Sequence, residues 1–156
     1  MKRIHYALFI ILLQACSIKP IKSLSTMEHA FRLKQGDDLK KSITQYVTIN
    51  NIKAGWIATC VGSLTTYAIR FANQPAATTG KGHFEIISLT GTLSSSGSHI
   101  HISIADTSGK TIGGHLADGC IIYTTAEIVI QQSSKYVFTR EKDGTTEWEE
   151  LQIKKQ

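Results

Sequence analysis

Alternating apolar and polar positions dominate the chain after residue 50 and predict a sheet. Segments rich in Ile, Val, Thr, Tyr and Phe follow one another, separated by glycines and short polar stretches. This pattern is typical of strands joined by turns. A first strand is expected earlier, at Glu28–Lys34. The later strands are expected at Ala54–Leu64, Thr65–Ala72, His83–Leu93, Ser98–Asp106, Thr111–Gly114, Cys120–Gln131 and Tyr136–Arg140.

One stretch with helical spacing interrupts the strand pattern. Asp37 is the expected N-cap, and Asp38 would favour the positive end of the helix dipole. The helix is expected to end near Asn50. Its apolar face, read from positions three and four apart, comprises Leu39, Ile43, Tyr46 and Val47. The pattern as a whole predicts an α+β domain in which one main helix flanks a mostly antiparallel sheet.

Length and composition are those of one globular domain. The chain has 156 residues, of which 42% are hydrophobic and 19% charged. A chain of this size can bury a core without disulfide or metal staples. Disordered and fibrous classes are therefore excluded.

The N-terminus is predicted to be an export signal. Lys2 and Arg3 precede an uncharged apolar run that ends at Leu13, which is the layout of a secretory signal peptide. The following Leu13-Gln14-Ala15-Cys16 resembles a bacterial lipobox, in which the cysteine carries lipid after cleavage. We therefore interpret residues 1–16 as a signal peptide with lipidation at Cys16, and residues 17–27 as a tether to the folded part.

The interpretation places the protein in the bacterial cell envelope, anchored by lipid on Cys16. Ser17 is not the aspartate that retains lipoproteins at an inner membrane, so an outer membrane is favoured if the organism has two. Two alternatives stay open. The apolar run could anchor the chain without cleavage, or translation could start at Met27, which would give a cytoplasmic protein.

Charge and cysteine content add little to this picture. Loss of Lys2 and Arg3 on processing would lower the formal net charge from +5 to +3, with no basic stripe remaining. A nucleic-acid-binding domain should show such a stripe. Cys60 and Cys120 lie in apolar, strand-like surroundings and are interpreted as buried free thiols, although an oxidising compartment would permit a disulfide.

Three histidines form the main candidate for chemistry. His99 and His101 alternate in one strand, so their side chains share a face. A three-residue turn with Gly109 in the left-handed conformation would pair Asp106 with Lys110. Counting back from that pair places His101 opposite His115.

Three neutral imidazoles with one open position are how a catalytic zinc is commonly held. His99, His101 and His115 are therefore a candidate site for Zn²⁺. A register slip by one residue would turn His115 to the other face, and polar packing at a subunit interface is the alternative role of the cluster. Glu85 and Glu127 are the candidates for catalytic proton transfer, and His83 and Asp118 are further candidates for supporting the ligands.

Several motifs, taken in order, resemble the PPC (plants and prokaryotes conserved) domain family. They are Phe31-Arg32-Leu33-Lys34-Gln35-Gly36-Asp37-Asp38-Leu39, Gly82–Gly91, His99-x-His101, Gly113-Gly114-His115-Leu116, Gly119–Ile128 and Phe138-x-Arg140-Glu141. The resemblance spans residues 28–151 and leaves 152–156 as a C-terminal tail. It implies a curved antiparallel sheet with a flanking helix, and a homotrimer. It also implies a fold related to acetolactate decarboxylase, whose zinc is held by three histidines.

Three functions follow from these features. The first is an exported, lipid-anchored, trimeric module that binds a small-molecule ligand or a partner and carries a three-histidine metal site. The alternative is a zinc-dependent enzyme acting on a small anionic or carbonyl substrate. A cytoplasmic DNA-associated protein starting at Met27 is the third, although the AT-hook that carries DNA binding in plant PPC proteins is absent from the sequence.

Overall fold

A computed structural model describes residues 26–156 of the chain. The predicted signal peptide with Cys16 and most of the 17–27 tether lie outside the described residues. Thr26 and Met27 already belong to the first strand. Within the described part, no helix is long and apolar enough to cross a membrane.

Eight strands and one helix make up the fold, which confirms the predicted α+β class. The chain is built mainly from antiparallel strands, and the helix lies between the first two of them. The elements are β1 Thr26–Lys34, α1 Leu39–Ile49, β2 Gly55–Arg70, β3 Thr78–Ser94, β4 Gly97–Ala105, β5 Thr111–Leu116, β6 Ile121–Ser133, β7 Tyr136–Glu141 and β8 Glu150–Lys155.

Six strands form one antiparallel sheet in the order β1-β6-β2-β3-β4-β5. The end of β2 also pairs with β5, at Ile69 opposite Leu116 and Arg70 opposite His115. Strands β2 to β5 therefore close on themselves at this end. The closure brings the end of β2 directly beside the histidine of β5. Strands β7 and β8 form a separate hairpin.

The helix packs its apolar face onto the sheet as predicted, but its cap is one residue later. Leu39, Ile43 and Val47 are fully buried. The N-cap is Asp38, whose carboxylate accepts from the Lys41 amide at 3.1 Å. The Asp37 carboxylate instead accepts from the amide of Lys34 at 2.7 Å and stabilises the turn before the helix. The prediction of Asp37 as N-cap was wrong because either aspartate can accept from a local amide, and the sequence alone does not distinguish them.

Three differences from the predicted strands go beyond a shift of one or two residues at an end. The two strands expected within residues 54–72 form the single strand β2, Gly55–Arg70. A register shift between Leu64 and Thr66 lies where the break was expected. Strand β3 begins at Thr78, so the expected polar loop is shorter. The expected tail lies in β8, which crosses the domain boundary expected at residue 151 and pairs with β7 throughout. The alternation in β8 is limited to two apolar residues, Leu151 and Ile153, within a charged segment, which is too short a pattern to predict a strand.

Both described cysteines are buried free thiols, as interpreted from their apolar neighbours. Burial raises the pKa of Cys60 to about 12 and that of Cys120 to about 11. The Cys120 thiol lies 3.3 Å from the Ala68 amide and 3.4 Å from its carbonyl oxygen. These cysteines therefore belong to the core and are held as neutral thiols.

Candidate metal centre

The β4–β5 hairpin sets the register of the histidines. Its turn has the predicted form, because the Asp106 amide donates to the Lys110 carbonyl at 3.0 Å and Gly109 has a φ of +82°. The Asp106 carboxylate accepts from the amide and hydroxyl of Ser108 and from the Lys110 amide. These hydrogen bonds lower the pKa of Asp106 and fix the turn. The pairing continues without a shift to His101 opposite His115, which confirms the predicted register.

The three imidazoles converge on one another. The Nε2 atom of His99 lies 3.1 Å from Nε2 of His101 and 3.1 Å from Nδ1 of His115. All three potential ligand nitrogens lie within 4.8 Å of one another. Tetrahedral ligands at typical zinc–nitrogen distances are separated by about 3.3 Å. The spacing is therefore compatible with one metal ion bound by all three side chains.

The local field favours the neutral imidazoles that a metal requires. Partial desolvation is the main cause that lowers the pKa of His99, although its side chain is still exposed, and the charges of His101 and Arg140 follow. Burial also lowers the pKa of His115, and Arg70 is the next cause. The negative charge of Glu150 has the opposite effect and raises the pKa of His99. Since a metal displaces a proton from each ligand, a lowered pKa makes metal binding easier at neutral pH.

A side chain from the β7–β8 hairpin covers one flank of the histidines. Thr92 lies directly opposite His99 in the β3–β4 ladder. Arg140 extends over this position and donates from Nη2 to the Thr92 hydroxyl at 2.7 Å. The stem of Arg140 lies over Gly97, where an added Cβ would be only 3.1 Å from Arg140 Cγ. Arg140 is thus held beside the cluster by packing and by one hydrogen bond.

Arg70 covers the other flank. It lies opposite His115 in the β2–β5 pairing, so the two side chains share a face of the sheet. Its guanidinium is 5.6 Å from the ring centroid of Trp148, in the loop between β7 and β8. A cavity of about 270 Å³ opens here. It is lined by Lys40, Arg70, Ala77, Ser98, His99, Ile100, His115, Leu116 and Ala117.

The other predicted site residues lie apart from the cluster. Glu85 is opposite Ala105 on β4, four residues or about 13 Å along the strand from His101. Glu127 is on β6, which is separated from β4 by two strands. The structure therefore brings neither carboxylate to the histidines, and their catalytic role stays a prediction.

The supporting candidates have other contacts. The His83 ring packs edge-on against Tyr123 at 4.6 Å between centroids. Asp118 forms an ion pair with Lys40 at 3.5 Å. Asp118 therefore contacts Lys40, which lines the cavity, and is not in the lining itself. His83 contacts Tyr123 and not the histidine cluster.

Sequence reasoning missed the residues that surround the cluster. Arg70, Arg140, Trp148 and Glu150 come from a strand end and a distant hairpin, so no local spacing joins them to the histidines. Arg140 did stand in the Phe138-x-Arg140-Glu141 motif that was quoted for the family resemblance. A motif arginine with no assigned role was the one available signal.

Comparison with known proteins identifies the family. Residues 22–134 match the sequence profile of the Plants and Prokaryotes Conserved (PCC) domain. This chain belongs to that family, here called PPC. The match covers the strands that carry all three histidines, so the cluster lies within the PPC domain itself. It ends before the hairpin that supplies Arg140.

Two curated relatives and one solved structure match most of this chain. Proteins called bifunctional protein GlmU from two Synechococcus strains are 39% and 38% identical over 137 and 135 residues. These matches cover 88% and 86% of this chain, which spans only 22% and 21% of those relatives. A solved hypothetical protein from Salmonella cholerae-suis is 37% identical, with a TM-score of 0.82 over 86% of this chain and 97% of that one.

Two further solved structures share the fold at lower identity. A putative DNA-binding protein from Bacteroides thetaiotaomicron is 19% identical, with a TM-score of 0.70 over 80% of this chain and 91% of that one. A metal-containing protein from Archaeoglobus fulgidus is 23% identical, with a TM-score of 0.68 over 81% and 93%. At these identities the likeness establishes the fold alone.

Proposed function

We propose that this PPC-domain protein is a binding module built around one divalent metal ion held by His99, His101 and His115. The observation that carries the proposal is the convergence of their ring nitrogens, with Nε2 of His99 3.1 Å from a nitrogen of each other ring. One nitrogen cannot make a good hydrogen bond to both neighbours at once, whereas a single cation satisfies all three lone pairs. Zinc is the proposed ion because imidazole nitrogens suit it and no thiolate joins the described cluster.

Zinc titration of single-histidine variants tests this proposal. Calorimetry should show one site per chain in the wild type, and alanine at His99, His101 or His115 should weaken binding by about tenfold or more, because each supplies one ligand. His83→Ala is the matched control, since His83 is exposed on the neighbouring strand β3. Equal affinity of all variants would refute the proposal.

A homotrimer is proposed from the family resemblance. The described chain leaves apolar side chains exposed on neighbouring strands, and Val61 and Ile87 are each more than half exposed. A second surface would remove them from water at a gain of about 25 cal/mol per Å². Sedimentation should show a single species near three times the monomer mass. A clean monomer at micromolar concentration would contradict the trimer.

Export and lipid anchoring are proposed from the N-terminal sequence. The lipobox-like segment ending in Cys16 and the basic, apolar run before it support this localisation. Cys16→Ser should release the protein from the membrane fraction or stall its processing. Cys60→Ser is the matched control, because this cysteine is buried in the domain. Unchanged fractionation of Cys16→Ser would favour the cytoplasmic alternative, in which translation starts at Met27.

A zinc-dependent enzyme is the second candidate function. Three histidine ligands leave a position for substrate or water, and the 270 Å³ cavity next to His99 and His115 gives access to it. Bound zinc would polarise an oxygen of a small anionic or carbonyl substrate. Glu150, whose charge acts on His99, is a better-placed proton acceptor than Glu85 or Glu127. Turnover that disappears in His101→Ala and falls in Glu150→Gln would favour this function over simple binding.

A further inference from the structure

Two arginines flank the histidine cluster, and neither has a carboxylate partner within residues 26–156. The ion pairs among residues 26–156 join Lys40 to Asp118 and Lys154 to Glu141. Arg70 and Arg140 belong to neither pair. Both side chains are partly buried. Arg70 lies opposite His115, and Arg140 is hydrogen-bonded to Thr92, the residue opposite His99.

Arg140 is held beside the cluster although one of its buried donors is unsatisfied among the described residues. Its Nη2 donates to Thr92, but its Nε is buried and has no hydrogen-bond partner among the described residues. An unsatisfied buried donor is costly, and more so when it belongs to a charged group. The side chain is nevertheless held there by its stem over Gly97 and by the docked hairpin, in which the Phe138 amide donates to the Lys53 carbonyl at 2.9 Å.

Arg70 is positioned by different contacts on the other flank. Its guanidinium lies over the Trp148 ring, and Nη1 donates to the Gln74 carbonyl at 3.4 Å. Neither contact neutralises its charge. It lines the same cavity as His99 and His115, and that cavity, at about 270 Å³, has room only for a small ligand.

We propose that Arg70 and Arg140 form an oxyanion-binding subsite beside the metal position, and that the ligand of this centre is a small organic carboxylate. This inference rests on the proposed metal function. Guanidinium groups match carboxylates through paired N–H donors. A 2-oxo acid suits the whole arrangement, because its carboxylate pairs with a guanidinium while its oxo group faces the three histidines. A divalent ion and two arginines, neither of which forms an ion pair among the described residues, leave the centre in need of negative charge.

Calorimetry on the full chain loaded with zinc tests the subsite. Pyruvate is the carboxylate probe, pyruvamide is its neutral counterpart, and inorganic phosphate is the alternative oxyanion. We expect pyruvate to bind and pyruvamide to bind about tenfold more weakly or not at all. Arg70→Met and Arg140→Met should each weaken pyruvate binding by about tenfold, with zinc affinity changed by less than about threefold. Arg32→Met, an exposed arginine on β1, is the matched control.

Arg140→Lys covers the case in which the methionine variant does not fold, since it keeps the charge and loses the paired donors. It should bind pyruvate more weakly than the wild type and unfold at a similar temperature. If phosphate binds and pyruvate does not, the carboxylate assignment is overturned. Equal pyruvate affinity in the wild type and both arginine variants overturns the subsite and leaves the metal site standing. If the wild type binds no zinc, pyruvate is titrated into the metal-free chain. Pyruvate binding that Arg70→Met and Arg140→Met weaken then supports the subsite. No pyruvate binding, or equal binding in all variants, overturns it.

Discussion

Replacement of Gly114 by alanine should damage the metal centre without touching a ligand. Gly114 precedes His115 at the point where β5 meets the end of β2. A Cβ at this position would lie 2.6 Å from the Arg70 carbonyl oxygen and 3.0 Å from Cγ2 of Ile69. Because ordinary contact begins at 3.4 Å, the two strands must separate by about 0.8 Å, whereas metal–ligand distances tolerate only about 0.2 Å.

Two measurements separate the expected effects of Gly114→Ala. Overpacking should lower the unfolding free energy of the metal-free protein by about 1–3 kcal/mol. Displacement of His115 should lower zinc affinity by about 10–100-fold, the range for loss of a group that orients a ligand. Gly55→Ala is the control, because its Cβ would lie 2.8 Å from Cγ2 of Ile52 at the opposite end of β2. Wild-type zinc affinity in Gly114→Ala, or an equal loss in Gly55→Ala, would refute this reasoning.

Three other expectations can be checked on the same protein. Partial desolvation holds the pKa of His99 and His115 below the ordinary value in the folded chain, so the unfolded chain binds more protons. The metal-free protein should therefore lose stability as pH falls below about 6.5. Thermal unfolding with a chelator present measures this, and stability that stays level or rises would contradict it. Asp38→Ala removes the helix N-cap and should cost about 1 kcal/mol in urea unfolding, and no change would mean that another group caps the helix. In a Cys16→Ser variant, Cys60 and Cys120 should resist a thiol reagent at about pH 8 in the folded chain, because burial raises their pKa to about 12 and about 11. Both should react once the chain is unfolded.

The metal cluster could be predicted because its geometry depends on local features. His99 and His101 share a face through strand alternation alone. The loop length and Gly109 then set the pairing, and no bulge intervenes between the turn and His115. The β4–β5 ladder stays regular at Gly113 and Gly114, and Gly114 permits close approach to the Arg70 backbone.

The surroundings of the cluster could not be predicted because they depend on long-range packing. Arg70 lies beside His115 because the end of β2 pairs with β5. The sequence pattern predicted two strands where β2 is one, so this pairing was not expected. Arg140 and Trp148 belong to a hairpin whose second strand, β8, has only two alternating apolar residues, Leu151 and Ile153. Glu85 and Glu127 were chosen by residue type and nearness in sequence, which do not report distance across the sheet.

Metal content of the purified full chain tests the central claim most directly. After equilibration with zinc at neutral pH and removal of excess ion, elemental analysis should find one zinc per chain in the wild type and in His83→Ala. The double variant His99→Ala/His101→Ala should retain almost none, because two of the three converging ligands are gone. A wild type without zinc, or a double variant that keeps one zinc per chain, would contradict the account.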